Sequence, residues 1–228
     1  MKYFVTIFII LLFSFELAAK TFPIPKDKKV SFDVIRKNKI IGNLTTKFIE
    51  KSENTLVLHS VLEIEVKVLL ITAYKFFQET KETWKDGQFI SIVGFTDFED
   101  DREYTIVGND KNDFFEAQGM DGDLVLDKNI LPLNYWNKSM LFEKEVFDTQ
   151  KGILRKIIVE KLNNEEIEID DKKIKAEKFI FNASKNPKDK GPFPEYTLWY
   201  HNDELIKMQF KNPKDKKTIL IIRNDWSQ

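Results

Sequence analysis

Apolar positions in this chain recur at every second residue over much of its length. From Leu62, the run LEIEVKVLL places Leu62, Ile64, Val66, Val68 and Leu70 on one side, with Glu63, Glu65 and Lys67 on the other. Successive side chains of a strand point to opposite faces, so this alternation predicts a strand lying over an apolar interior. The run continues through Tyr74 and Phe76, a polar QETKET stretch and Trp84, and reads as one long spine for the sheet. A charge placed at Val66 is expected to cost several kcal/mol, because a buried charge without a partner is poorly solvated.

Shorter segments of the same kind surround the spine. Strands are predicted at 30–37, 40–48 and 56–59 before it. After it they follow at 89–95, 103–107, 114–117, 124–126, 145–147, 153–162, 167–169, 173–181, 196–200, 205–210 and 218–223. Polar turns separate them at roughly ten-residue spacing, the pattern of an antiparallel all-β domain. Lys85-Asp86-Gly87 is the strongest hairpin signal, since Asp-Gly readily adopts the positive φ of a tight turn. The pentapeptide NPKDK occurs twice, at 186–190 and 212–216, where proline sets φ in a loop.

One segment interrupts this rhythm. Asn129 to Leu141, NILPLNYWNKSML, contains Pro132, which argues against a central strand. It predicts a short helical excursion near 135–142, with Asn137 as its cap. No other stretch beyond the N-terminal segment holds a helical period over a dozen residues. The expected fold is a single curved antiparallel sheet, a half-barrel or β-roll-like meander.

The first nineteen residues have a different character. A positive Met1-Lys2 start, an apolar stretch from Tyr3 to Phe15 and a small-residue Leu17-Ala18-Ala19 end match an export signal. Residues 1–19 are therefore expected to be removed, 20–29 to form an extended leader with Pro23 and Pro25, and 30–228 to form one β domain. The apolar stretch is shorter than the roughly twenty residues that span a bilayer, and no second one follows, so the mature chain is not expected to cross a membrane as a helix. The chain has no cysteine, which excludes disulfides, thiol catalysis and cysteine zinc sites. Export without cysteine points to a bacterial periplasm.

Charge narrows the partners. Thirty-six basic residues balance 37 acidic ones in the 228-residue chain, for a net charge of −1, so the surplus that nucleic-acid binding needs is missing. His59 and His201 are the only histidines; the first reads as a satisfied edge residue and the second as a turn residue. No G-x-S-x-G elbow or glycine-rich phosphate loop is present. Asp97, Glu99, Asp100 and Asp101 lack calcium-loop spacing and read as a solvated acidic turn. No cofactor is implied. What remains is aromatic: Tyr74, Phe76, Trp84, Tyr135, Trp136, Trp199 and Tyr200 either fill an ordinary core or line a ligand groove. Trp136 is the strongest groove candidate, because it sits in the proline-containing excursion.

Several segments also carry a family resemblance. FDVI at 32–35 with Ile41-Gly42, VKVLLITAYKF, ETWKDGQF followed by TDF, PLNYWN at 132–137 and LWYHNDELIKMQF at 198–210 together resemble the exported bacterial domain-of-unknown-function family 6134. The resemblance implies a curved antiparallel sheet and export, and it supplies no catalytic residue. The functional expectation is a non-catalytic periplasmic domain binding a hydrophobic or lipid-like ligand in a concave, aromatic-lined groove. The alternatives are a cell-envelope protein–protein interaction or structural module and, behind both, a carboxylate-dependent hydrolase of glycans.

Overall fold

The structure, a computed structural model, describes residues 24–68, 71–98, 102–169, 171–190, 192–213 and 215–226. The segment at 1–19 expected to direct export, the expected leader before Ile24 and Glu99 to Asp101 of the expected acidic turn lie outside the described residues.

Fifteen strands follow one another: β1 (Lys29–Arg36), β2 (Lys39–Ser52), β3 (Thr55–Val68), β4 (Ile71–Lys85), β5 (Gln88–Asp97), β6 (Glu103–Asp110), β7 (Phe114–Gly119) and β8 (Gly122–Asp127) form the first half. The second half holds β9 (Glu145–Asp148), β10 (Ile153–Lys161), β11 (Glu165–Ile169), β12 (Lys172–Ala183), β13 (Tyr196–His201), β14 (Glu204–Lys211) and β15 (Thr218–Arg223). They make one open antiparallel sheet in the order β8-β7-β6-β5-β4-β3-β2-β1-β15-β14-β13-β12-β10-β9, with β11 pairing β12 outside this row. The expected fold class holds. Most connections are tight hairpins, and β1 joins the two halves by pairing β2 on one side and β15 on the other.

The long spine expected over 62–84 is two strands. The chain reverses between Val68 and Ile71, and β3 pairs with β4 from Thr55 opposite Lys85 to Val68 opposite Ile71. Residues 56–59 and the alternating run from Leu62 belong to the same arm. The reversal escaped prediction because Leu69-Leu70, which lie outside the described residues, carry none of the glycine, proline, asparagine or aspartate that marks a turn. The core also sits elsewhere along this hairpin. Leu56 and Leu58 are buried, whereas Leu62, Ile64 and Val66 are only half-buried, so a charge at Val66 is less costly than the alternation implied.

The sheet curls until its two ends meet. Phe115 on β7 and Phe147 on β9 have ring centroids 6.1 Å apart, although their strands lie near opposite ends of the row. The turn after β7 meets the turn after β9, where Met120 N–H donates to the Lys151 carbonyl at 2.7 Å. Gly119 packs on Gly152 so closely that a Cβ on Gly119 would lie 2.4 Å from the Gly152 carbonyl oxygen. One apolar core results, drawing buried side chains from both ends of the sheet. A second, smaller cluster of Ile167, Ile169, Ile174, Ala176, Trp199 and Ile206 lies on the convex side, where β11 folds over β12 to β14.

Gly119→Ala should therefore lower stability by about 1–3 kcal/mol, the usual cost of overpacking against backbone that cannot give. Urea unfolding measures it, and Val125→Ala on the exposed face should stay within about 0.5 kcal/mol of the parent.

Candidate functional site

The concave side of the sheet is crossed by the segment Asn129–Leu141, the excursion singled out by Pro132. Its first part runs parallel to β9: Leu133 N–H donates to the Phe147 carbonyl at 2.8 Å, and Phe147 N–H donates to Leu131 at 2.9 Å. Pro132 sits between these bonds, where its missing N–H leaves no gap in the ladder. The segment then turns inward at Tyr135, whose φ of 59° is the left-handed region. Among the described residues the other non-glycine positions with positive φ are lysine, asparagine and aspartate, so a bulky aromatic there stands out. The Tyr200 hydroxyl donates to the Tyr135 carbonyl at 2.6 Å, and the Thr149 hydroxyl donates to the Leu133 carbonyl at 3.0 Å. These bonds hold the bend in place. As expected, Asn137 caps a short helical turn, a 3₁₀ segment at Lys138–Phe142, by accepting from Ser139 N–H at 3.1 Å.

This strap inserts an aromatic ring into the core. Trp136 meets Trp84 edge-on at 5.7 Å and Phe48 edge-on at 5.5 Å. Tyr135 lies 5.4 Å from Tyr196 and 5.8 Å from Phe181. The opening that remains beside Trp136 and Phe48 is about 20 Å³. That is room for about one water molecule. Around the strap, the described residues fill the concave side with the protein's own side chains.

The seam between strap and sheet is polar. On β4, Phe76, Gln78, Thr80, Glu82 and Trp84 share the inward face, and Glu82 is only 1% exposed. Its Oε2 accepts from Trp84 Nε1 at 3.0 Å and from Asn134 Nδ2 at 2.9 Å. Burial pushes the Glu82 carboxyl up to about 7, and the hydrogen bonds from Asn134, Trp84 and Trp136 hold it from rising further. A carboxyl poised near neutrality suits proton transfer. Here, however, its partners are an amide and two indoles, none of which is a nucleophile or a second acid.

Two other carboxylates are buried among the described residues, and both are engaged. Arg155, 1% exposed, donates from Nε to Asp148 at 2.6 Å and from Nη1 and Nη2 to Asp189 at 3.0 and 3.2 Å. Lys151 also binds Asp189. Burial opposes ionisation of Asp189, but Arg155, Lys151 and the Asn186 N–H outweigh it and hold the carboxyl at about 2. Asp189 belongs to the first NPKDK loop; the matching residue of the second, Asp215, pairs with Arg36. The repeated loop thus delivers an aspartate to an arginine at two places.

The aromatic candidates separate into three groups. Trp84, Tyr135 and Trp136, with Tyr200, belong to the strap and the core it fills. Phe76 is buried nearby on β4, 5.0 Å from Phe98, while Tyr74 at the start of that strand is 36% exposed. Trp199 faces the convex cluster, donating to Glu165 at 3.2 Å beneath the ammonium of Lys207 at 4.4 Å. Glu82 and Asn134 were missed because each reads as a surface residue; the one signal for Glu82 was its shared parity with Trp84. His59, expected at an edge, sits inside the sheet, with Nε2 2.7 Å from Glu79 on the neighbouring strand.

A curled antiparallel sheet closed around an internal strap defines a barrel-like all-β domain. The chain belongs to the family described as Domain of unknown function (DUF6134), whose profile matches residues 32–224, from within β1 to just past β15. Its fold is similar to the crystal structure of a beta-barrel-like protein of domain of unknown function DUF1849 from Brucella abortus. The TM-score is 0.58 with 10% identity, over 87% of this chain and 98% of that one, a likeness of fold alone. No curated protein matches the chain.

Glu82 sets a sign for the pH dependence of stability. Below its ordinary value of 4.5 the group is protonated folded and unfolded alike. Between 4.5 and about 7 only the folded chain keeps the proton, so stability falls as pH rises and the loss is complete above about 7. At 1.36 kcal/mol per pH unit the loss is about 3 kcal/mol, which Glu82→Gln should largely remove. Urea unfolding of both proteins at pH 5 and pH 8 tests this; an equal pH dependence in the two would refute it.

Proposed function

We propose that this protein is an exported, non-catalytic module of the bacterial cell envelope that works by contacting a protein partner. The observation that carries this reading is the filled concave face: an opening of about 20 Å³ beside Trp136 admits no acyl chain. Contact is left to the outside of the sheet. There Val93 on β5 and Val107 on β6 are cross-strand neighbours, 58% and 40% exposed, with Phe95 beside them at 38%. Exposed apolar residues grouped in this way favour a protein contact. The N-terminal apolar stretch and Leu17-Ala18-Ala19 support export. The Arg155 clamp on Asp148 and Asp189, together with the sealed position of Glu82, supports a non-catalytic role.

A second reading keeps the hydrophobic ligand. The strap is fastened partly by the Glu82–Asn134 hydrogen bond, and its departure would expose Phe48 and Trp84 to a lipid-like molecule.

Native mass spectrometry of protein purified from its own envelope fraction separates the two. The first reading expects the bare mass of a chain beginning at Lys20; a co-purifying lipid mass favours the second, and an unprocessed cytoplasmic chain overturns export. A photo-crosslinking residue at Val93 should trap an envelope protein in cells, and a monomer unchanged after irradiation counts against the contact surface.

A further inference from the structure

The β3–β4 hairpin leaves the strands on both sides of it before it ends. Pairing of β3 with β2 stops at Ile64 opposite Gly42, and pairing of β4 with β5 stops at Phe77 opposite Asp97. Beyond these points Glu65 pairs with Lys75, Val66 with Tyr74, Lys67 with Thr72 and Val68 with Ile71. Among the described residues no third strand joins these pairs. At about 3.3 Å per residue, this two-stranded ribbon reaches about 13 Å from Ile64 to Val68.

The apolar pattern of the ribbon outlasts the core it could cover. Ile64 is the last described β3 side chain packed on the main core; Val66 is half-buried outside that cluster, and Tyr74 opposite it is 36% exposed. Both share the face of Ile64 and Phe76, while Glu65, Lys67 and Lys75 occupy the other. Between Lys67 and Lys75 the sequence VLLITAY carries no charge. A second observation comes from the β1–β2 turn, which opens at the same end of the sheet because β2 meets β3 through Gly42. Ile40 there is 66% exposed, between Lys39 and the end of the β2–β3 ladder. Lys37, Lys39 and Lys75 have no carboxylate within ion-pair distance among the described residues, whereas Lys67 reaches Glu65 at 3.0 Å and Arg36 pairs with Asp215. On the β5 side the charge is acidic, with Asp97 opposite Glu103, so the cationic flank of the ribbon is the one toward β1 and β2.

We propose that this ribbon docks the protein on an anionic lipid surface, with Val66 and Tyr74 entering the interface and Lys37, Lys39 and Lys75 facing the headgroups. An uncharged apolar segment bracketed by an aromatic ring and lysines is the arrangement that settles at a bilayer boundary. Elements that lie in that boundary sink about 5–10 Å, which is within the reach of the ribbon. Lysines near an anionic leaflet add attraction that falls away within a Debye length. A second copy fits less well, because two ribbons meeting end to end would set these lysines against each other. The inference goes beyond the contact function proposed above and does not rest on it: Val93 lies on the outer face of β5, away from the ribbon, and its cross-link is read independently.

The test is flotation of the full mature chain with phosphatidylglycerol–phosphatidylcholine vesicles, joined to a fluorescent label. The chain has no cysteine, so Tyr74→Cys and Val125→Cys each supply a single labelling position. Val125 lies in the cross-strand row of Thr83, far along β4 from Tyr74. The expected result is saturable binding in which brominated acyl chains quench the label of Tyr74→Cys and leave that of Val125→Cys bright. Affinity should fall about tenfold or more in Val66→Ser/Tyr74→Ser, which removes the apolar contact. Lys37→Ala/Lys39→Ala/Lys75→Ala should lose about tenfold or more on these vesicles and little on phosphatidylcholine alone. The comparison of the two labels stands whatever the stability of the serine variant. Absence of flotation, equal quenching of the two labels, or equal binding by the parent and the serine variant overturns the proposal. So does a dimer in which the Tyr74→Cys label is already shielded without vesicles, which assigns the ribbon to a second copy.

Discussion

A curled sheet of this width encloses more space than the side chains on its inner face can fill, and everything else in the structure answers that constraint. Interiors are packed at nearly crystalline density, so an empty concave side would leave its lining without contacts. The chain solves the problem with thirteen residues taken out of the sheet. Pro132, the left-handed bend at Tyr135 and the cap at Asn137 are local devices that aim Trp136 into the gap between Phe48 and Trp84. The Gly119–Gly152 contact then holds together the edges that this filling brings near each other.

The filling is not purely apolar. Glu82 at the strap seam is the kind of buried polar group that weakens a core unless its hydrogen bonds are complete. Its bonds to Asn134 and Trp84 demand one position of the strap, while apolar packing alone would tolerate several. Specificity of seating is thus obtained through hydrogen bonds, and stability through the rings around them. The Asp148–Arg155–Asp189 network works differently, because its charges are fully paired and its members come from β9, β10 and a loop. It fixes how that loop meets the sheet.

Much of the fold was legible in the residues. Alternation marked nearly every strand, and proline with a capping asparagine marked the strap as something other than a strand. The misses have physical causes. The β3–β4 reversal carries no turn residues, so a hairpin looked like one long strand. The inner face of β4 reads as Gln78, Thr80 and Glu82, polar residues that resemble a solvated surface until the strap brings Asn134 to Glu82 and the β9–β10 turn brings Thr149 to Gln78. Trp84 and Trp136 were both among the aromatic candidates, but their contact joins positions far apart in the chain and follows from the curl of the whole sheet. Trp199 shows the limit in the other direction: two neighbours on its strand, Leu198 and Tyr200, face the main core, so it must face the smaller convex cluster.

The position of β1 governs the order in which this molecule can be assembled. Strands β1 to β8 each pair with the strand next to them in sequence, so that half can zip up before the rest of the chain is in place. The other edge of β1 has to wait for β15, with Val34 finally opposite Ile221. Closing so distant a pair is entropically slow, and until it happens β1 presents an unpaired, apolar edge. Among the described strands, β15 therefore seals β1, and the chain remains adhesive along Val30, Phe32 and Val34 until β15 arrives.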